Sequence, residues 1–206
     1  AARAALDAGL DVLCEKPLAL TQEACRRLAS HARDAGRVLA VGMTRRFMPS
    51  TRALERVLQE GWIGEVESVE CHDGHNFAWS SASGAYGRRD NAGVVANVGV
   101  HDIDLVEHLC GPLTPDTYSD DWCGGVEVNA TMRARTTSGA PVEFRFSYTH
   151  GLRNGLRIRG SRGEVALGSD PSAVTVTTRD GALAATVEAT VPFRGGPWPR
   201  TLVSDR

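Results

Sequence analysis

The chain has 206 residues, of which 42% are hydrophobic and 23% charged, and its formal net charge is −2. That length fits one full domain, or a small domain joined to part of another, and the composition excludes disordered, collagen-like and coiled-coil chains. Charges of both signs are interspersed, which argues against a nucleic-acid partner and favours small neutral or anionic metabolites.

The cysteines indicate the cellular compartment. There are five, an odd number, at wide spacings and without a C-x-x-C pair, which argues against a zinc site or a redox dithiol. A reducing compartment is the simplest reading, so we expect a cytoplasmic protein. No apolar run reaches the roughly 18 residues that a membrane-spanning helix requires.

The first 44 residues alternate helical and strand patterns with short loops between them. This order is typical of half of a doubly wound Rossmann-type α/β domain, whose parallel strands are buried on both faces. The predicted elements are a helix over residues 1–8, a buried strand over 11–15, a helix from Thr21 to Gly36 and a buried strand over 38–42.

From residue 45 to residue 206 the pattern is that of an α+β domain. Its strand-like runs alternate apolar and polar residues between Gly, Asp or Asn turns, which predicts a large, mainly antiparallel open sheet with one face in water. The predicted helices cover 51–59, led by Pro49, and 94–110, stopped by Gly111-Pro112; the predicted strands cover 63–71, 126–136, 142–149, 156–159, 164–167, 173–178 and 185–191.

Lys16 stands where the first predicted strand reaches its carboxyl end, the edge at which open α/β sheets bind their ligands. An ammonium group there can hold or move the proton of a hydroxyl or carbonyl that undergoes hydride transfer. A solvated lysine in a surface turn is the alternative. Because the strand must end abruptly and direct Lys16 into a cleft, we predict a cis Lys16–Pro17 peptide bond, which costs only about 0.5–1 kcal/mol over trans.

The predicted helix before the Gly-Pro stop carries a second group of candidates. In a helix, Asn97 and His101 lie on one face with Asp104 one further turn on. A neutral imidazole beside a carbonyl can act as acid, base or electrophile. The alternative is a core histidine, with Asp102 and Asp104 capping and solvating the helix. A metal site from His101, Asp104 and His108 fits the spacing but lacks a close third ligand, and we predict no metal.

Five segments in this order resemble the glucose–fructose oxidoreductase, inositol dehydrogenase and rhizopine catabolism (Gfo/Idh/MocA) family of NAD(P)-dependent oxidoreductases. Glu-Lys-Pro alone would be a weak signal, but the segments together run through most of the chain. They are residues 8–19 around Glu15-Lys16-Pro17, Arg45-Arg46-Phe47 with Pro49, residues 61–66, Gly99-x-His101-x-x-Asp104 ahead of Gly111, and residues 159–164.

The resemblance implies roles for residues on the cofactor side. Lys16 is the catalytic or substrate-positioning lysine, Glu15 and Pro17 line the nicotinamide-ribose side of the cleft, and Arg46 contacts the cofactor. The cofactor is NAD or NADP. No G-x-G-x-x-G occurs in the chain, although the family carries that phosphate-binding turn ahead of these segments. We therefore expect a piece of a longer protein, truncated at the N-terminus and also at the C-terminus, that by itself binds cofactor poorly and is inactive.

On the substrate side, the resemblance implies that His101 meets the reacting hydroxyl. Asn97 departs from the family pattern, which usually has Asp there; its amide can hydrogen-bond substrate or His101 but adds no negative charge. The remaining substrate-binding candidates are Asp104 and, in a loop resembling the family's variable substrate loop, Trp79, Arg88 and Arg89. The two arginines could instead be solvated loop residues.

The implied activity is hydride transfer between a nicotinamide and a secondary alcohol or ketone of a sugar, cyclitol or related polyol. Two alternatives remain open: an NAD-dependent glycosidase of the same fold, and a non-catalytic sensor or assembly member, which Asn97 favours. We also expect the open sheet to leave an apolar face that is buried in a homodimer or homotetramer.

Overall fold

The computed structural model of the chain describes residues 1–76, 93–122, 126–168 and 173–188. Within those residues the chain forms four α-helices and two sheets. The helices are α1 (Ala2–Asp7), α2 (Gln22–Asp34), α3 (Pro49–Gln59) and α4 (Val100–Cys110). The strands are β1 (Val12–Cys14), β2 (Leu39–Val41), β3 (Val66–Gly74), β4 (Thr114–Asp120), β5 (Asn129–Arg135), β6 (Pro141–Ser147), β7 (Gly155–Gly160), β8 (Gly163–Leu167), β9 (Ala173–Thr178) and β10 (Leu183–Glu188).

Strands β1 and β2 form a two-stranded parallel sheet. As predicted, α1 precedes β1 in the chain and α2 connects β1 to β2. Helix α2 begins where the Thr21 side chain accepts a hydrogen bond from the backbone N–H of Ala24, at 3.2 Å, which satisfies one free donor of the first turn. It ends before Gly36, whose φ of 62° lies in the left-handed region that favours glycine. The capping threonine and the terminal glycine, both visible in the sequence, therefore set the two ends of α2.

The prediction that β1 and β2 are buried on both faces is wrong. Leu13 is 79% exposed, and Ala40, opposite it in the pair, is exposed as well. Val38, just before β2, is 63% exposed. A short apolar run is typical of a strand covered on both faces, but within the described residues one face of this strand pair lies open.

The second sheet has eight strands in the order β10-β9-β8-β7-β3-β6-β5-β4. Every neighbouring pair is antiparallel except β3 and β6, which run parallel at the centre. This confirms the predicted large, mainly antiparallel sheet. Its inner face packs against α3 and α4, and the fully buried side chains there include Phe144, Phe146, Ile158, Leu54 and Val106. Burial stabilises the fold by about 1.5–3 kcal/mol for each such side chain.

The outer face of the large sheet is charged, so the prediction that it is apolar is wrong. Side chains alternate along each strand, and the outward positions of the central strands carry Arg and Glu rather than apolar residues. Glu143 pairs with Arg133 at 3.1 Å and with Arg145 at 2.9 Å, and Arg159 pairs with Glu164 at 2.9 Å. Burial of this face in an oligomer remains a prediction, without the apolar surface that motivated it.

Among the helices that the structure describes, none has the length and apolar character needed to cross a membrane.

Candidate active site

Lys16 and Asn97 meet at the carboxyl end of β1. The Lys16–Pro17 peptide bond is cis, as predicted, and the Lys16 Nζ donates to the backbone carbonyl of Asn97 and, at 3.1 Å, to its side-chain Oδ1. The two residues are 81 apart in the chain. The structure thus brings together two of the three predicted catalytic residues.

Asn97 is held from its other side by a residue that sequence reasoning missed. Its Nδ2 donates to the hydroxyl of Tyr148, which follows β6 and is 7% exposed. Within the described residues Asn97 forms no hydrogen bond with His101, one of the two contacts expected for its amide, and its Oδ1 and Nδ2 are engaged by Lys16 and Tyr148 instead. Asn97 lies in a π-helical turn, Val95–Gly99, ahead of α4. A π turn changes the spacing of side chains along the helix.

His101 lies in the first turn of α4 and is half-buried. Its Nδ1 is buried and has no hydrogen-bond partner within the described part of the chain. Burial lowers the pKa of His101 below its ordinary 6.5, and the positive charges of Lys16 and Arg45 lower it further, against the opposing carboxylates of Asp104 and Glu15. The neutral form of the imidazole is therefore favoured at pH 7.

The pKa of Lys16 is also lowered, first by burial and then by Arg45, while Glu15 opposes both. Lys16 is the only lysine among the 206 residues, and every other residue in the Lys and Arg total of 23 is arginine. An arginine side chain stays protonated in proteins, whereas a lysine can release its proton when it is desolvated. This contrast is a sequence signal that marks position 16 independently of any motif.

Arg46 and Asp104, predicted to contact cofactor and substrate, are paired with each other. The Arg46 Nε donates to the Asp104 Oδ2 at 2.8 Å, and its terminal nitrogen donates to Oδ1. The Arg46 side chain remains 42% exposed, so it can also meet a ligand.

Arg45 forms a partly buried cluster that sequence reasoning missed. Its guanidinium donates to Asp102 in α4 and, at 3.0 Å, to Asp73 in β3. Asp102 is 3% exposed, and burial raises its pKa to about 6 against the attraction of Arg45. The thiol of Cys71, also buried, faces this carboxyl group, which raises the pKa of the thiol in addition to the effect of burial.

Trp79, Arg88 and Arg89 lie outside the described residues. The spacing-based metal set has other partners, since Asp104 binds Arg46 and the His108 Nε2 lies 2.7 Å from the Glu55 carboxylate.

Comparison with known families decides the assignment. The family model for the GFO/IDH/MocA C-terminal domain matches residues 51–166, which is more than half of the chain. The chain belongs to the GFO/IDH/MocA family. The model for the NAD-binding Rossmann fold of the same oxidoreductase family matches residues 1–43, which is the segment that carries Lys16.

Similar proteins include two inositol dehydrogenases. Inositol 2-dehydrogenase 2 of Saccharopolyspora erythraea is 40% identical over 111 residues, covering 53% of this chain and 31% of that protein. Inositol 2-dehydrogenase of Rhizobium meliloti is 29% identical over 185 residues, covering 84% of this chain and 55% of that protein. The chain thus spans between 31% and 55% of the length of these two relatives.

A solved structure has the same fold. The inositol dehydrogenase homolog of Azotobacter vinelandii, crystallised with NADH and myo-inositol, superposes with a TM-score of 0.82 at 23% sequence identity. The alignment covers 100% of this chain and 56% of that one.

Proposed function

We propose that the complete protein containing this chain is a nicotinamide-dependent dehydrogenase that acts on a secondary alcohol of a sugar, cyclitol or related polyol. The observation that carries the proposal is that Lys16, at the carboxyl end of a parallel strand, donates to Asn97 in the turn that leads into α4, the helix whose first turn carries His101. Lys16 lies close enough to His101 for its positive charge to lower the pKa of the imidazole. Family membership and the similarity to inositol dehydrogenases support it.

The residues present fit the nicotinamide end of a dinucleotide. The carboxyl edge of parallel strands is where open α/β sheets bind ligands, and Glu15 and Lys16 supply an acceptor and a donor there. The phosphate end needs other residues, because the chain has no G-x-G-x-x-G. When bound, the nicotinamide ring would accept or return the hydride. NAD and NADP are both compatible with these residues.

The protein residues would handle the proton of the substrate hydroxyl. His101, kept neutral by burial and by neighbouring cations, can accept that proton as the hydroxyl is oxidised. The Lys16 ammonium has three N–H donors and directs two of them to Asn97, so one N–H remains to hold the same substrate oxygen and to stabilise negative charge that develops on it. Asn97 and Tyr148 would fix the orientation of Lys16.

The experiment is a turnover assay of the complete protein. It would be incubated with NAD⁺ or NADP⁺ and a panel containing myo-inositol, aldoses, simple secondary alcohols and aryl glycosides. Formation of reduced nicotinamide with a cyclitol or sugar, absent with simple alcohols, is the expected result. Release of sugar from an aryl glycoside without net cofactor reduction would instead identify a glycosidase, and no turnover with any compound would refute the proposal.

We further propose that the protein is cytoplasmic and acts as a homodimer or homotetramer. Support for the compartment comes from the cysteines, because the four that the structure describes are free thiols. Light scattering of the purified complete protein would measure its mass, and a monomeric mass at assay concentration would contradict the oligomer.

A further inference from the structure

The Arg45 cluster joins three parts of the fold. Arg45 lies in the 3₁₀ turn Thr44–Phe47 that follows β2, Asp73 lies near the end of β3 in the large sheet, and Asp102 lies in the first turn of α4. Arg45 hydrogen-bonds to both carboxylates at once through different terminal nitrogens. One side chain thus links the small parallel sheet, the large sheet and the helix that carries His101.

Burial makes the Asp102 carboxylate dependent on Arg45. The Asp102 side chain is 5% exposed and the Arg45 side chain 28% exposed, so the ion pair is largely removed from water. An ionised carboxylate at that depth needs an opposite charge nearby, because a buried charge without a partner is strongly destabilising. The planar guanidinium can hydrogen-bond to two carboxylates in a fixed geometry, which a lysine ammonium, as a point charge on a flexible stem, does not reproduce.

The cluster lies directly beside the candidate active site. Asp102 is adjacent to His101 in sequence, so holding Asp102 fixes the helical turn on which His101 stands. Arg45 and Lys16 follow β2 and β1, whose last residues, Val41 and Cys14, are partners in the parallel pair. Arg45 therefore starts from the same sheet edge as Lys16 and reaches the turn that carries His101.

We propose that Arg45, held by Asp73 and Asp102, is a positioning residue that fixes the His101 turn of α4 opposite Lys16. The proposal rests on the proposed function, because the two groups that Arg45 aligns are the proposed proton-transfer groups. The hydrogen bonds of the Arg45 side chain go to Asp102 and Asp73, and not to Lys16 or His101. Arg45 contributes by holding the geometry of these elements and by its fixed positive charge.

The charge of Arg45 has a measurable effect on His101. Among the described residues, the charged groups with the largest effect on the imidazole are the cations Lys16 and Arg45 and the carboxylates Asp104 and Glu15. Arg45 contributes to lowering the pKa of His101, after burial and Lys16. Removal of the guanidinium should therefore raise the pKa of His101, which a residue with only a packing role would not do in a folded variant.

The test compares Arg45→Met with Arg157→Met. The Arg157–Glu164 pair is a matched control, because its side chains are 25% and 18% exposed and it lies on the outer face of the large sheet. The pKa of His101 would be measured in this chain by NMR titration of the histidine rings, with His101→Gln to assign its signal. We expect an upward shift in Arg45→Met and none in Arg157→Met. A folded Arg45→Met with an unshifted His101 would overturn the proposal.

A second variant covers the case in which Arg45→Met does not fold. Arg45→Lys keeps the positive charge but cannot hold both carboxylates in the same geometry. In the complete protein we expect kcat to fall by about 10- to 100-fold, the size of loss that a small misplacement of catalytic groups produces, with little change in KM for the cofactor. The acidic limb of the pH–rate profile should stay near that of the wild type. Wild-type kcat in folded Arg45→Lys would contradict the positioning role.

The two proposals fail separately. The histidine titration requires no turnover, so a shifted His101 in Arg45→Met would support the positioning role even if the complete protein oxidised no polyol. In that case the turnover assay alone would refute the dehydrogenase function.

Discussion

Lys16 is the residue on which the proposed chemistry depends most. Its amine is partly buried, is held by Asn97 and has a lowered pKa. We expect Lys16→Met in the complete protein to lower kcat by about 10²–10³-fold, the usual loss when a donor that stabilises developing negative charge is removed, with a smaller change in cofactor affinity. Steady-state kinetics with a separate measurement of cofactor Kd would check this. Near wild-type turnover would remove Lys16 from the mechanism.

Substitution of Asn97 tests how a negative charge beside Lys16 changes the pKa of its amine. In Asn97→Asp a carboxylate would replace the amide oxygen that accepts from Lys16, so the pKa of Lys16 should rise. Because Lys16 is the only lysine, growth on ¹³C-labelled lysine yields one titrating side-chain signal for NMR. Asn154→Asp is the control, since the Asn154 side chain accepts a hydrogen bond from Gly74 and Asp can do the same. Equal Lys16 titrations in all three proteins would show that Asn97 does not act on the amine.

The sequence predicts Lys16 and His101 as site residues because their side chains suit proton transfer and stand in motifs that resemble those of the family, and it predicts Asn97 from its spacing to His101 and from the same resemblance. It does not predict the Arg45 cluster, because Arg45 is separated from Asp73 by 28 residues and from Asp102 by 57, and no local periodicity links them. Only the folded arrangement of three elements brings these charges together. The contribution of each site residue to activity remains a prediction.

At the scale of elements, the turn before α4 needs a glycine for packing. A Cβ built on Gly99 would come within 2.7 Å of the Phe146 ring, in the core of the large sheet. Gly99→Ala should therefore destabilise the fold by about 1–3 kcal/mol, the usual cost of overpacking. In Gly151→Ala the added methyl group meets nothing within 4 Å, so its effect should stay within about 0.5 kcal/mol. Urea unfolding of both variants would decide, and equal stabilities would contradict the packing argument.

Sequence patterns predict those elements that alternate clearly and miss those that do not. The predicted strand over 173–178 agrees with β9, whereas β3 begins at Val66 rather than at residue 63. Strand β4 was not predicted, because all seven of its residues are exposed and none of the apolar alternation that marks a strand is present. It lies at the edge of the sheet, where Pro115 and polar side chains are tolerated.

At the scale of the whole molecule, Asp102 should make folding stability depend on pH. Its pKa is about 6 in the folded state against an ordinary 3.8, so between about pH 4 and pH 6 the folded chain keeps a proton that the unfolded chain has lost. Stability should therefore fall as the pH rises through this window, by about 1–3 kcal/mol from this group.

Asp102→Asn removes that titration. As the pH rises from 4 to 6, the free energy of unfolding of the variant should therefore increase relative to that of the wild type. Urea unfolding of both proteins at several pH values would measure the difference. The exposed Asp116 provides the control variant, Asp116→Asn, which should keep the wild-type pH dependence. A constant difference between the wild type and Asp102→Asn across this range would show that Asp102 ionises in the same way in the folded and unfolded chains.

The position of β3 also affects the order in which the chain can fold. Among the described strands of the large sheet, β3 comes first in the chain, yet it lies at the centre, between β6 and β7. The residues that pair with β3 in β6 and β7 follow their partners by 73–94 residues. In a growing chain β3 therefore stays unpaired until β6, the fourth of the eight strands, has emerged, and it lacks its second neighbour until β7 follows. Pairings of such long range are slow to form, and we expect refolding in the range of milliseconds to seconds, with unfolded chains prone to aggregate until β3 is enclosed.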